Sequence, residues 1–404
     1  MSPTRGPPQP NLPTALHRDR RLVGPPVHVA LPGRTRLAFL SSARVHKSHP
    51  HRDSRRLLPA RTTRRQFPYT NTYISPNRAE AHTHTGRNEM ATLSVPAAVP
   101  AVAEDCEQLR KAFAGWGTNE RLIVSILAHR DAAQRRAIRR AYAEAYGEEL
   151  LRAIGDEIHG KFERAVTQWT LDPAERDAEL AGEEAKKWQP GGRALVEIAC
   201  ARTPAQLFAA KQAYHDRFKR SLEEDVAAHV TGDFRKLLVP LVSAYRYDGP
   251  EVNTSLAHSE AKILNGKINE KAYSDDEIVR ILTTRSKAQL LATFNSYNDQ
   301  FSHPITKDLK EDPKNEFLST LRAIIRCFTC PDRYFEKVVR LALGGVGTDE
   351  NTLTRVITTR AEVDLKVIKE AYQKRNSVPL EKAVSKETSR DYEDMMLALL
   401  GAEY

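Results

Sequence analysis

Cysteine is scarce in this 404-residue chain: Cys106, Cys200, Cys327 and Cys330 are the only four, at irregular spacing. That is too few for the disulfide framework of a small secreted domain, and it favours a reducing compartment. Long apolar runs are missing too. No stretch approaches the roughly 18 residues of a transmembrane helix. The N-terminus lacks the apolar core of a secretory signal. Any contact with a membrane is therefore made from outside the bilayer. No strand pattern stands out, and neither a nucleophile elbow nor a metalloprotease motif occurs.

A basic folded body is also lacking, although the formal charge is +10. Residues 1–89 hold 16 Lys/Arg and 4 Asp/Glu, so the remaining 315 residues carry −2. This distribution removes the reading of a nucleic-acid binder for the folded part. Residues 1–89, rich in Pro, Arg, His, Ser and Thr, show no sustained apolar periodicity. Such a segment buries too little apolar surface to offset its ordering entropy, and the expectation is disorder. It reads as sequence upstream of a working start at Met90, with an organellar transit peptide and a basic interaction arm as open alternatives.

What the chain does have is a short motif, twice. Gly115-Trp116-Gly117-Thr118-Asn119-Glu120 returns as Gly345-Val346-Gly347-Thr348-Asp349-Glu350. Two glycines one residue apart permit positive φ angles, so successive carbonyls can turn to one centre. The Thr is a good N-cap for a following helix, and acids suit its positive start. Glu157 lies 40 residues beyond Gly117, and Glu387 lies 40 beyond Gly347. Converging carbonyls plus one carboxylate suit a hard cation, and calcium tolerates such a site better than magnesium does.

Aligning the chain on Arg130, Arg202, Arg285 and Arg360 exposes a fourfold repeat of roughly 70 residues. Positions 7, 4 and 3 before each Arg form one helical stripe. They are Ile123/Ile126/Leu127, Leu195/Ile198/Ala199, Ile278/Ile281/Leu282 and Leu353/Val356/Ile357. An aromatic follows each Arg by 32 residues: Phe162, Phe234, Phe317 and Tyr392. The Gly249-Pro250 stretch breaks the chain between the second and third repeats, so the core reads as two pairs of repeats joined by a connector. The expected divisions are a tail at 90–103, repeats at 104–171, 175–245, 259–328 and 331–404, and a connector at 246–258.

Four helical repeats, the G-x-G-T loop, the acid 40 positions on, and the Thr-Thr-Arg ends at 283–285 and 358–360 resemble the annexin family. The Trp in the first loop and the degenerate second and third loops resemble its plant members. The resemblance covers about residues 103–404 and implies an all-α fold of five short helices per repeat, packed as a curved disc. It implies calcium ligation by the carbonyls of Phe113, Gly115 and Gly117 with the carboxylate of Glu157. The matching set is Leu343, Gly345, Gly347 and Glu387. About five ligands against the 6–8 that calcium takes leave room for water or a lipid phosphate oxygen, and affinity without lipid should be micromolar to millimolar. The function implied is calcium-dependent binding of a cytoplasmic protein to anionic phospholipid membranes, as a monomer in solution that can assemble on membranes. A membrane-associated, calcium-permeable ion conductor is the alternative that the family suggests, with a peroxidase or nucleotide phosphohydrolase a lesser one.

The other two repeats depart from the pattern, with Lys187 and Gln189, then Glu270 and Ala272, at the glycine positions. His229 and Asp312 stand at the acid position. They read as structural, with an auxiliary ion at Asp312 as the alternative. Trp116, and more weakly Val346, would dip into the headgroup layer, since Trp favours the membrane–water interface; packing of Trp116 on its own module is the competing reading. His129 matches a position linked to peroxidase activity in plant relatives, but a single His at a helix end is an ordinary capping or solvated residue. Ala261–Ile268 lacks the first Gly and final Ser/Thr of a phosphate loop. Val279-Arg280-Ile281 loosely resembles a segment proposed for F-actin binding, though Ile281 belongs to the core stripe. Cys200 and Cys327 take a redox role from the resemblance and buried structural thiols as the default. No catalytic residue is assigned.

Overall fold

The computed structural model describes residues 88–114, 117–187, 189, 193–310, 312, 314–345 and 347–402. The expectation of disorder for the N-terminal segment falls on residues 1–87 and lies outside them. Among the described residues there are 20 helices and no strand. They fall five to a repeat. The first repeat holds α1 (Val102–Phe113), α2 (Glu120–Leu127), α3 (Ala132–Tyr146), α4 (Leu150–Glu157) and α5 (Gly160–Thr170). The second holds α6 (Pro173–Lys186), α7 (Ala194–Ala201), α8 (Pro204–Phe218), α9 (Leu222–His229) and α10 (Gly232–Ser243). The third holds α11 (Thr254–Asn269), α12 (Asp276–Thr284), α13 (Lys287–Phe301), α14 (Ile305–Asp308) and α15 (Glu316–Thr329). The fourth holds α16 (Pro331–Leu343), α17 (Glu350–Arg360), α18 (Leu365–Asn376), α19 (Leu380–Glu387) and α20 (Arg390–Leu399).

In the first three repeats the repeated arginine closes the second helix onto the first. Arg130 grips Asp105 through two bonds of 2.7 Å, Arg202 grips Asp177 at 2.5 and 2.8 Å, and Arg285 takes Glu260 at 2.8 Å. Each acid lies 25 residues before its arginine. The residue after the arginine caps the third helix: Asp131, Thr203 and Ser286 accept from the amides of Gln134, Gln206 and Gln289. Such caps satisfy amides that a helix start leaves free. All twelve stripe residues are buried, as are Phe162, Phe317 and Tyr392; Phe234 is partly buried and meets the edge of Phe317 at 5.4 Å.

The pairing of repeats differs from the linear reading. Helix α5 packs on α17 and α20, and α2 on α20, so repeat 1 joins repeat 4. Helix α7 packs on α15, and α10 on α12, so repeat 2 joins repeat 3. The connector is non-helical only as far as Asn253, whose side chain caps α11 at the amide of Leu256. A strap from the tail crosses repeat 4. Thr92 donates from its amide to the carbonyl of Ala361 (2.9 Å) and from its hydroxyl to that of Leu399 (2.6 Å). A Cβ on Gly401 would lie 2.7 Å from the Thr92 carbonyl oxygen, so a side chain there would push the strap away.

Candidate metal centre

The two G-x-G-T loops leave the C-terminal ends of α1 and α16. Phe113 and Leu343 are the last residues of those helices, so their carbonyls have no amide one turn ahead to accept from. Each loop closes by the same backbone bond, from the amide of Asn119 to the carbonyl of Ala112 and from Asp349 to Ala342, both 2.9 Å. The second glycine carries the turn, with φ +100° at Gly117 and +90° at Gly347, where a side chain would be strained. At the first glycine, close approach decides: a Cβ on Gly345 would sit 3.2 Å from the carbonyl oxygen of Gly347. Gly115, Trp116 and Val346 lie outside the described residues.

Thr118 and Thr348 are not the N-caps. Asn119 and Asp349 take that place, their side chains accepting from the amides of Leu122 (3.1 Å) and Thr352 (3.0 Å). The threonine hydroxyls are thereby free for another task. Thr118 donates to the backbone carbonyl of Glu157 (3.2 Å), and Thr348 to that of Glu387 (3.1 Å). Glu157 and Glu387 end α4 and α19, where last-turn carbonyls need such outside donors. One hydroxyl thus anchors the end of a distant helix to each loop, and an exposed carboxylate arrives with it.

The two centres differ in local charge. Glu157 follows Asp156, which pairs with Arg152 at 3.6 Å. Glu387 follows Lys386, whose ammonium lies 3.2 Å from the Glu387 carboxylate. The repeats carrying them are tied by Lys161, four residues past Glu157, which reaches Glu350 in the first turn of α17 at 2.8 Å. Loop spacing gave no hint of that link.

Among the described residues, no group of three or more His, Cys, Asp and Glu could hold a metal. The loops offer backbone oxygens plus one carboxylate each, all hard donors. The cradle that a Cβ on Gly345 would fill suits a cation bound mainly by backbone oxygens, such as calcium.

The second and third repeats are built otherwise. In the third, an ammonium stands among the acids: Lys267 lies 3.2 Å from Asp275 and 3.5 Å from Glu270. The amide of Ala272 bonds back to the carbonyl of Lys267 at 2.9 Å. The Asp312 carboxylate accepts from the amide of Lys314 (3.0 Å), a local turn. In the second repeat, Arg193 turns away to the hydroxyl of Ser319 (2.8 Å), and His229 bonds the carbonyl of Asp225 in its own helix (2.8 Å).

The remaining motifs are absorbed by the fold. His129 bonds through Nδ1 to the carbonyl of Ser94 (2.9 Å), holding the strap. Ala261–Ile268 lies wholly inside α11 and forms no loop. Val279 and Ile281 are buried, and Arg280 pairs with Glu277 at 2.8 Å. Burial pushes the Cys200 thiol up to about 12 and raises Cys327 well above its ordinary value, which disfavours the reactive thiolate.

Comparison with known proteins matches the family model "Annexin" four times, at residues 104–169, 176–241, 259–324 and 334–399. Annexin Gh1 of Gossypium hirsutum is 60% identical over 311 residues, covering 77% of this chain and 99% of that protein. Among solved structures, annexin III superposes with a TM-score of 0.71 at 32% identity, covering 78% of this chain and 98% of that one. A calcium-bound annexin (Sm)1 superposes with a TM-score of 0.67 at 25% identity, covering 78% and 93%.

Proposed function

This chain belongs to the annexin family, whose general activity is calcium-dependent phospholipid binding, and from that premise we propose that it binds anionic membranes through the loops of repeats 1 and 4. The observation that carries the reading is the twofold threonine link, Thr118 to Glu157 and Thr348 to Glu387. The carbonyls of Phe113, Gly115 and Gly117 with the Glu157 carboxylate would hold one ion. Those of Leu343, Gly345 and Gly347 with the Glu387 carboxylate would hold the other. A bound calcium ion supplies positive charge and unfilled coordination positions that a lipid phosphate oxygen can take. Trp116 and Val346, at the loop tips in sequence, would contact the headgroup layer.

The charge balance supports this mechanism. A body of net −2 meets an anionic surface unfavourably until the local charge at the loops is reversed. No helix among the described residues is long and apolar enough to cross a membrane. We read the protein as cytoplasmic and recruited to membranes by calcium, monomeric in solution with assembly on the surface. No enzymatic role is assigned, because His129 is engaged with the tail and the thiols of Cys200 and Cys327 are buried. F-actin contact through Val279–Ile281 would have only Arg280 to offer.

A second reading is ion conduction. A cavity of about 350 Å³ brings together Arg164, Glu183, Glu184, Arg193 and Arg355 from three repeats. Conductance across a planar bilayer that changes in Glu184→Gln supports it, and absence of conductance removes it.

The principal reading is tested by sedimentation with phosphatidylserine vesicles. Glu157→Gln combined with Glu387→Gln is expected to abolish calcium-dependent pelleting while the helical circular dichroism stays unchanged. Full pelleting of that variant would overturn the site assignment.

A further inference from the structure

Between α13 and α15 of the third repeat and α16 and α18 of the fourth lies a cavity of about 920 Å³ that calcium-dependent binding does not use. Seven basic residues and a single acid line it. Arg326, Arg333, Lys337 and Lys374 form no ion pair among the described residues. The acid, Glu336, is 3% exposed. It accepts from Arg340 at 2.9 Å, which orients that guanidinium, and lies 3.8 Å from Nε of Arg375. Partial burial, with the guanidinium groups of Arg326, Arg322, Arg193 and Arg340, lowers the affinity of Lys337 for its proton. Like charges gathered this closely repel one another, and a multivalent anion is what relieves the repulsion.

We propose that this cavity is a calcium-independent binding site for an anion carrying several clustered phosphates. Guanidinium forks pair with phosphate oxygens two at a time, and lysine ammonium groups add unoriented charge. The surplus of six positive charges favours a polyanion over a single phosphate or carboxylate. Phe294, Ile305 and Ile325 add apolar wall for the organic scaffold that bears the phosphates. The volume suits a small ligand. Soluble inositol polyphosphates and polyphosphoinositide headgroups share this chemistry.

Cys330 lines the same cavity and is the one half-buried cysteine, the other three being buried. Its alkylation rate therefore reports on the cavity and not on the basic N-terminal segment. The experiment follows N-ethylmaleimide labelling of Cys330 in the full chain, in chelator, by mass spectrometry. Inositol hexakisphosphate is expected to slow labelling at least about fivefold at saturation, with inorganic phosphate about a hundredfold less effective by concentration. Arg333→Gln with Lys337→Gln should raise the concentration needed at least about tenfold, losing two charge-assisted contacts. Neither residue belongs to the buried core, so the fold should tolerate the change. Unaltered labelling at millimolar probe, equal protection in the variant, or protection only with calcium would each overturn the proposal. Vesicles containing phosphatidylinositol 4,5-bisphosphate, in chelator, form the second arm. Protection by them that the double variant loses identifies a headgroup ligand; protection by the soluble probe alone identifies a free one.

Discussion

Arg360 holds its guanidinium carbon 4.6 Å from the centre of the Phe335 ring, at the register where the other three repeats carry a carboxylate. Its charge is met instead by Asp364, one turn ahead, at 2.5 and 2.7 Å. The residue after Arg360 is Ala361, which has no polar side chain to cap α18, and it lends its carbonyl to the strap at Thr92. The same arginine is thus kept by a different partner. Asp105→Ala, which strands Arg130 in the core, should cost about 3–5 kcal/mol. Phe335→Leu, which keeps apolar cover and the Asp364 pair, should cost about 1–2 kcal/mol. Urea midpoints of the two variants measure the difference, and equal losses would refute the distinction.

The threonine links predict a separate result. Thr118→Val and Thr348→Val keep volume but remove the hydroxyl that holds α4 or α19 to its loop. Losing one such bond is worth about 1 kcal/mol, so each variant should need about fivefold more calcium for half-maximal pelleting. Circular dichroism should not change. Unshifted calcium curves in both variants would show that the links do not position the carboxylates.

The local charges predict that the centres are unequal. Lys386 competes for the Glu387 carboxylate, whereas among the described residues no cation pairs with Glu157, its neighbour Asp156 engaging Arg152. Glu157→Gln should therefore raise the calcium requirement more than Glu387→Gln does. Lys386→Gln should lower it about two- to fivefold at low salt, with a smaller gain at high salt because the pair is exposed. Calcium titrations at two ionic strengths decide the point.

Glu184 predicts a pH dependence. Burial pushes its carboxyl up to about 7, and its Oε1 has no hydrogen-bond partner. Against an ordinary value of about 4.3, the native state keeps a proton that the unfolded chain releases. The contribution of Glu184 to stability therefore falls as pH rises from about 4.3 to 7. Glu184→Gln should gain on the parent by roughly 3–4 kcal/mol across that window and not differ in slope below it. Urea midpoints between pH 4 and 8 that run parallel would contradict this.

Much of the architecture was legible because it repeats. The stripe at 7, 4 and 3 before each arginine needs only helical geometry, and all twelve residues are buried. The loops were recognisable from two glycines and a fixed distance to an acid. The cap was misjudged at Thr118 and Thr348, because a residue good at capping is equally good at bonding a stray carbonyl.

The sequence by itself determined what is local: the helices, their buried faces, the caps after Arg130, Arg202 and Arg285, and the twice-used loop. Periodicity and backbone freedom act over a few residues, so those features need no knowledge of the rest of the chain. Only the tertiary structure decided which repeats pair. It set repeat 1 against repeat 4, tied them through Lys161 and Glu350 across 189 positions, and gathered cations of the third and fourth repeats around one cavity. Such meetings depend on which apolar faces cover one another, and the spacing of residues along the chain does not encode that.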